Sequence, residues 1–178
     1  MKFTKYHKLG DYHWRMYEKN RYYRRHADRI KKWIEEKNTL DVGAGDGKIT
    51  HLLGIKGVDN ELEAVKLAVE KGADVVLGDA YQLPYKNEEF DSVLMVNVVE
   101  HFKYPQKAIQ EARRVLKKYI YVVTPPKDLV PGKMDRFHYQ EWTSEELKEL
   151  VEKEGFLLEG KILIIPEEKC MYAKFKKI

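Results

Sequence analysis

The chain has 178 residues, of which 43% are hydrophobic and 35% charged, with a net charge of +4, and this predicts one globular domain over residues 1–178 with a sizeable core. No apolar run approaches a membrane span, Lys2, Lys5 and Lys8 precede no apolar segment, and Cys170 is the single cysteine. These features argue against a membrane protein, a secretory signal and a disulfide framework, and predict a cytoplasmic protein that is a monomer or homodimer.

Residues 1–19 lack clear periodicity but are rich in rings: Phe3, Tyr6, His7, Tyr12, His13, Trp14 and Tyr17. From about Asn20 to Glu36, Tyr23, Ala27, Ile30 and Ile34 recur at helical steps, with Arg21, Arg24, Arg25, Asp28, Lys31 and Lys32 on the opposite face. Residues 1–37 hold 12 Lys/Arg against 5 Asp/Glu, so the net positive charge belongs to this segment. Three readings stay open for it: a grip on nucleic acid, a lid over a ligand cleft, or a solvated helix docked by its apolar stripe.

Thr39–Val42 reads as a short buried strand, Gly43, Gly45 and Gly47 as a tight turn, and Ile49, Thr50, Leu52 and Leu53 as the opening of a helix that Gly54 stops. Ile55–Asp59 is a second strand. Asn60 with Glu63 predicts a capping box before a stripe of Leu62, Val65 and Val69. Val75–Leu77 is a third strand, followed by Gly78-Asp79-Ala80 and a turn through Pro84. The apolar run Phe90–Val96 predicts a central parallel strand, buried on both faces.

Pro105 opens a helix with Ala108, Ile109, Ala112, Val115 and Leu116 on one face, and Tyr119–Thr124 is the fifth strand. Residues 125–138 form a loop long enough to be functional. Thr143 and Glu146 predict a capping box, and Leu147, Leu150 and Val151 face inward before Gly155. Phe156–Ile165 and Cys170–Lys176 then read as an antiparallel pair joined at Pro166. The order predicts an α/β fold, Rossmann-like, with a mostly parallel seven-stranded sheet, helices on both faces and a C-terminal antiparallel hairpin.

A strand that turns into a helix through glycines leaves backbone N–H groups free and lets a ligand approach the main chain. The spacing decides the kind of ligand. Lys48 occupies the third-glycine position of G-x-G-x-x-G, which argues against a dinucleotide site, and Ile49 occupies the Ser/Thr position of a phosphate loop. Asp59, ending strand two, can accept hydrogen bonds from both ribose hydroxyls, and the predicted ligand site lies beyond the strand ends between strands one and four.

Four stretches, LDVGAGDG (40–47), GVDNE (57–61), GDAYQLPY (78–85) and FDSVLMVNVVEHF (90–102), resemble in order and interval the motifs of the class I S-adenosylmethionine-dependent methyltransferases. A cofactor-binding core is expected at 39–124, with a basic, aromatic helical cap at 1–38 and a loop, helix and hairpin at 125–178. The resemblance covers residues 39–124 firmly, and the helix and hairpin after that loosely. It also implies S-adenosylmethionine as methyl donor, with S-adenosylhomocysteine as product.

By the same resemblance Gly43, Ala44, Gly45 and Gly47 form the cofactor turn, and Asp41 serves the cationic amino end. Asp59 and Asn60 lie at the ribose. Asp79 receives the adenine amino group with the Ala80 N–H at the ring edge, Leu62 or Leu83 covers the ring, and Asn97 and Val98 line the methionine side. His101, at the end of strand four, is a candidate general base or a structural histidine.

Glu100, His101 and His138 also resemble part of the metal set of RNA 2′-O-methyltransferases. Asn97 stands where that set needs a carboxylate, so no metal is predicted. Thr124-Pro125-Pro126 follows strand five rather than strand four and is not an N-P-P-Y motif. The two segments free to cap the cleft offer Tyr6, Trp14, Tyr17 and His138 as candidate substrate contacts. A small-molecule acceptor is the first expectation, RNA the second, and cofactor binding without turnover the third.

Overall fold

The computed structural model describes residues 6–129 and 134–178, with the side chains of Tyr6, His7 and Asp128 also outside the description. Three helices come first: α1 (Tyr6–Leu9), α2 (Tyr12–Lys19) and α3 (Arg21–Trp33). The sheet and its other helices follow as β1 (Thr39–Val42), α4 (Lys48–Leu53), β2 (Lys56–Asp59), α5 (Leu62–Glu70), β3 (Asp74–Leu77) and β4 (Phe90–Val96). The second half adds α6 (Pro105–Val115), β5 (Leu116–Thr124), α7 (Ser144–Glu152), β6 (Phe156–Leu158), β7 (Leu163–Ile165) and β8 (Cys170–Lys177). Among the described residues no helix is long and apolar enough to cross a membrane.

The strand order is β3-β2-β1-β4-β5-β8-β6, with β7 also paired to β8. Strands β1 to β5 are parallel, and β8 runs antiparallel between β5 and the two short outer strands. The chain winds outward from β1 to β3 and then returns to place β4 on the other side of β1. That reversal makes the switch point between β1 and β4, where connections diverge and a cleft opens.

Strand β4 shows why an unbroken apolar run belongs at the centre. Val93 and Met95 pack into one core layer with Ile109 and Leu147, while Leu94 packs into the other with Ala27, Ile30 and Tyr121. Both faces are buried, so alternation disappears from the sequence. Each such side chain contributes about 1.5–3 kcal/mol by leaving water. Thr39 and Ser92, the buried hydroxyls of this layer, pair with each other at 2.6 Å.

Several local expectations change. Asn20 is the cap of α3, its side chain accepting the N–H groups of Tyr22 and Tyr23, and the helix ends at Trp33. The capping box predicted at Asn60 does not form. Glu61 takes the cap position with no side-chain cap hydrogen bond, and the buried Asp59 carboxylate accepts the Glu61 N–H at 2.8 Å. The outermost strand, expected to be continuous over 156–165, is broken at residues 159–162, which gives eight short strands on the seven-strand plan. The box at Thr143 and Glu146 forms as expected.

Candidate cofactor and acceptor site

After β1 the backbone turns through Gly43, Gly45 and Gly47, all with positive φ. Gly43 and Ala44 donate their N–H groups to the Val58 carbonyl at 2.8 and 3.1 Å, which ties the turn to β2. A Cβ on Gly43 would lie 2.2 Å from Val98 Cγ2, and one on Gly47 would lie 2.6 Å from the Ala73 Cβ. Glycine is therefore required twice over, by φ and by close approach of the segments that follow β4 and α5.

Two acids stand at this rim. Asp59 Oδ2 accepts the Gly45 N–H at 2.8 Å, and burial raises its pKa despite three backbone hydrogen bonds that lower it. Asp41 is 2% exposed and accepts a hydrogen bond from the Thr50 hydroxyl at 2.7 Å. Burial, the largest cause, lifts its pKa to about 7. Buried carboxyls on a cavity wall suit a ligand bearing a positive charge.

A cavity of about 360 Å³ runs past Asp41, Gly43, Gly45, Asp59, Asn97 and His101, and its lining also includes Ala44 and Val98. A smaller one of about 110 Å³ is lined by Asn60, Asp79, Ala80, Tyr81 and Phe102 and shares Gly43 and Asp59 with the first. The two meet at Asp59, so a long ligand laid across the turn would meet Asp41 at one end and Asp79 at the other. Gly47 lines neither; it begins α4 and packs on α5. Leu62 is 51% exposed and Leu83 is in the core, and neither lines either of these two cavities.

The roof comes from the N-terminal helices. Asp46, fully buried in the glycine turn, accepts the His13 N–H at 2.8 Å, with His13 Nδ1 3.0 Å from its other oxygen. Trp14 Nε1 donates to the Asp46 carbonyl at 2.7 Å. The Lys48 ammonium lies 4.4 Å from the Trp14 ring centre and 4.0 Å from that of Tyr17, and its burial lowers its pKa. Trp14 and Tyr17, expected at the substrate, thus brace the cap from outside the cavity, and Leu9, Tyr12, His13, Tyr23 and Phe137 line it instead. The expected contact through Tyr6 rests on a side chain outside the description.

Asp46 and Lys48 were legible in principle, as the polar residues inside the glycine motif. Tyr12, His13 and Tyr23 were not, because nothing in their spacing says which rings of a ring-rich segment turn inward.

His101 Nδ1 lies 3.1 Å from the Phe137 carbonyl, which fixes that nitrogen as the donor, and burial lowers the ring's pKa. His138 does not line the cavity; its ring stands edge-on to His101 at 4.9 Å, with Nδ1 2.5 Å from Glu141 Oε1. Buried Glu100 accepts the Thr124 hydroxyl at 2.9 Å, and burial pushes its pKa to about 8. Ligand atoms of Glu100, His101 and His138 lie within 4.8 Å of one another. Asn97 Oδ1 lies 3.5 Å from the Cys170 thiol, which donates to it.

Residues 40–123 match the family model of a methyltransferase domain. An uncharacterized protein of Methanocaldococcus jannaschii is 36% identical over 115 residues, 63% of this chain and 56% of that protein. A demethylmenaquinone methyltransferase of Thermotoga maritima is 24% identical over 123 residues, 61% of this chain and 54% of the enzyme. A tRNA (carboxymethyluridine(34)-5-O)-methyltransferase of Arabidopsis thaliana is 34% identical over 87 residues, 44% of this chain and 21% of that one. The matched regions thus span little more than half of the first two relatives. Among solved structures, an SAM-dependent methyltransferase of Thermotoga maritima, described as a possible histamine N-methyltransferase, superposes with a TM-score of 0.80 at 24% identity, covering 97% of this chain and 98% of that one. The chain shares that fold.

Proposed function

We propose that this chain is an S-adenosylmethionine-dependent methyltransferase that moves a methyl group to an O, N or C atom of a small-molecule acceptor. One observation carries the reading: Asp41 and Asp59, both buried, face one cavity across a glycine turn at the switch point of a methyltransferase-type sheet. In this reading Asp59 receives the ribose hydroxyls, Asp41 the cationic amino acid end, and Asp79 with Ala80 the adenine edge. Asn97 and Val98 line the path toward the sulfur. Residues 1–38 act as the cap, 39–124 as the cofactor core and 125–178 as the flank that completes the acceptor side.

The bound donor supplies a methyl group already activated on a sulfonium, so the protein's work is alignment and exclusion of water. Tyr12, His13, Tyr23 and Phe137 enclose the remaining space with rings, which favours a compact, planar or apolar acceptor. With Nδ1 committed to the Phe137 carbonyl, His101 would use Nε2 to take the proton of a hydroxyl or ammonium acceptor.

The test is calorimetric titration with S-adenosylmethionine and S-adenosylhomocysteine, with NADH as control. One-site binding of the first two alone supports the reading. Binding of NADH, or of none of the three to folded protein, defeats it.

A further inference from the structure

A second cleft, about 620 Å³, lies between α3 and the broken outer strand and shares no lining residue with the cofactor cavity. Helix α3 contributes Arg25, Asp28, Arg29, Lys32 and Trp33, a set at helical spacing that presents one side. Glu159 and Lys161 face it from the break in the outer strand and Leu163 from β7, with Tyr172 and Lys174 from β8. The strand break creates the space: β6 stops at Leu158, Gly160 turns the chain at φ 78°, and β7 resumes at Leu163.

Five cations line the cleft against two carboxylates. Arg29 is held by Glu168 at 3.0 Å and Lys174 by Glu35 at 3.0 Å, so these two form fixed walls. Asp28 is taken up by the Tyr17 hydroxyl at 2.9 Å. Arg25, Lys32 and Lys161 are exposed and have no ion pair among the described residues. Between them lie half-buried Trp33, set edge-on against Tyr121 and Tyr172, and Leu163, 41% exposed.

Uncommitted cations around an apolar, aromatic floor recognise an anion that carries a flat body. An aliphatic acidic peptide supplies the charge without the ring, and a neutral aromatic the ring without the charge. We propose that this cleft binds a nucleotide phosphate, free or within single-stranded RNA, with Trp33 and Leu163 beneath the base and Arg25, Lys32 and Lys161 on the phosphate. The proposal does not rest on methyl transfer, since the two cavities are separate.

The experiment titrates the full chain with 5′-AMP and with a ten-nucleotide oligouridylate, both in saturating S-adenosylhomocysteine to occupy the first cavity. Saturable binding of at least one probe is expected, weakened tenfold or more in the double variant Arg25→Glu, Lys161→Glu, whose substitutions lie on exposed positions. Binding of 5′-AMP assigns the site to free nucleotides, and binding of the oligomer alone assigns it to the polymer. For the oligomer, three phosphate contacts predict roughly a twentyfold loss of affinity between about 50 and 200 mM salt. No binding of either probe, or equal binding by the double variant, overturns the proposal. Retained S-adenosylhomocysteine binding in that case leaves the methyltransferase reading standing.

Discussion

Asp59 and Gly45 are joined by a 2.8 Å hydrogen bond from the Gly45 N–H to the carboxylate at the end of β2. The acid that would hold the ribose therefore also shapes the turn beneath it, and it accepts the Glu61 N–H besides. Asp59→Ala is expected to weaken S-adenosylhomocysteine binding by about 1.5–3 kcal/mol and to lower stability by about 1–3 kcal/mol. Calorimetry and thermal melts separate the two effects. A destabilised variant with unchanged affinity would remove Asp59 from the ribose.

Asp41 makes a prediction about pH. Its folded pKa of about 7 lies above the ordinary 3.8, so the ligand-free fold binds an extra proton between those values. Its contribution to stability is present below about pH 4 and lost as pH rises to about 7; Asp41→Asn should remove that slope and stabilise the ligand-free protein by on the order of 2–4 kcal/mol at pH 8. Affinity for a cationic ligand should run the other way, weakening by up to about tenfold per pH unit below 7. Titrations from pH 5.5 to 8 check it; an unchanged slope in Asp41→Asn would locate the effect elsewhere.

Asp46 anchors the cap through His13 and Trp14. In Asp46→Ala the backbone bond from Trp14 remains while both His13 contacts go, at a cost of about 1–3 kcal/mol. Amide exchange should accelerate through residues 8–19 and leave β4 protected. Uniform acceleration across the chain would mean that the cap is part of the core and not a separable cover.

Gly43 against Val98 tests the close approach of turn and strand. Gly43→Ala should destabilise strongly, combining a strained φ with a 2.2 Å clash, and Val98→Ala should recover part of the loss because it removes the Cγ2 contact while the strained φ and the Val98 Cβ at 2.7 Å remain. A double-mutant cycle in urea measures the coupling. Strict additivity would mean that the Val98 methyl groups contribute nothing to the cost.

His101→Gln keeps a hydrogen-bonding side chain but removes the titrating ring. With a hydroxyl or ammonium acceptor, kcat should fall by about 10²–10⁴-fold while cofactor affinity holds. The wild-type rate should rise with pH through a midpoint below the usual 6.5, since burial lowers the pKa of His101. An unchanged kcat would make His101 a structural residue bonded to Phe137.

The order of strands and helices, the glycine turn and the Thr143 box were legible because each is a local matter. A helical stripe, an apolar run or a cap with its partner three residues on lies within one window of sequence. Asp41, Asp59 and Asp79 could be found the same way, as acids at or just beyond strand ends. Only the tertiary structure decided where the helix after Asp59 begins: α5 opens at Leu62 with Glu61 at its cap, and the buried Asp59 carboxylate accepts the Glu61 N–H. The roof was equally hidden. His13 meets Asp46 across more than thirty residues, and α2 buries no residue that would announce the docking. The break at 159–162 and the cleft beside Trp33 likewise depend on where β8 and α3 lie in space, which no spacing along the chain records.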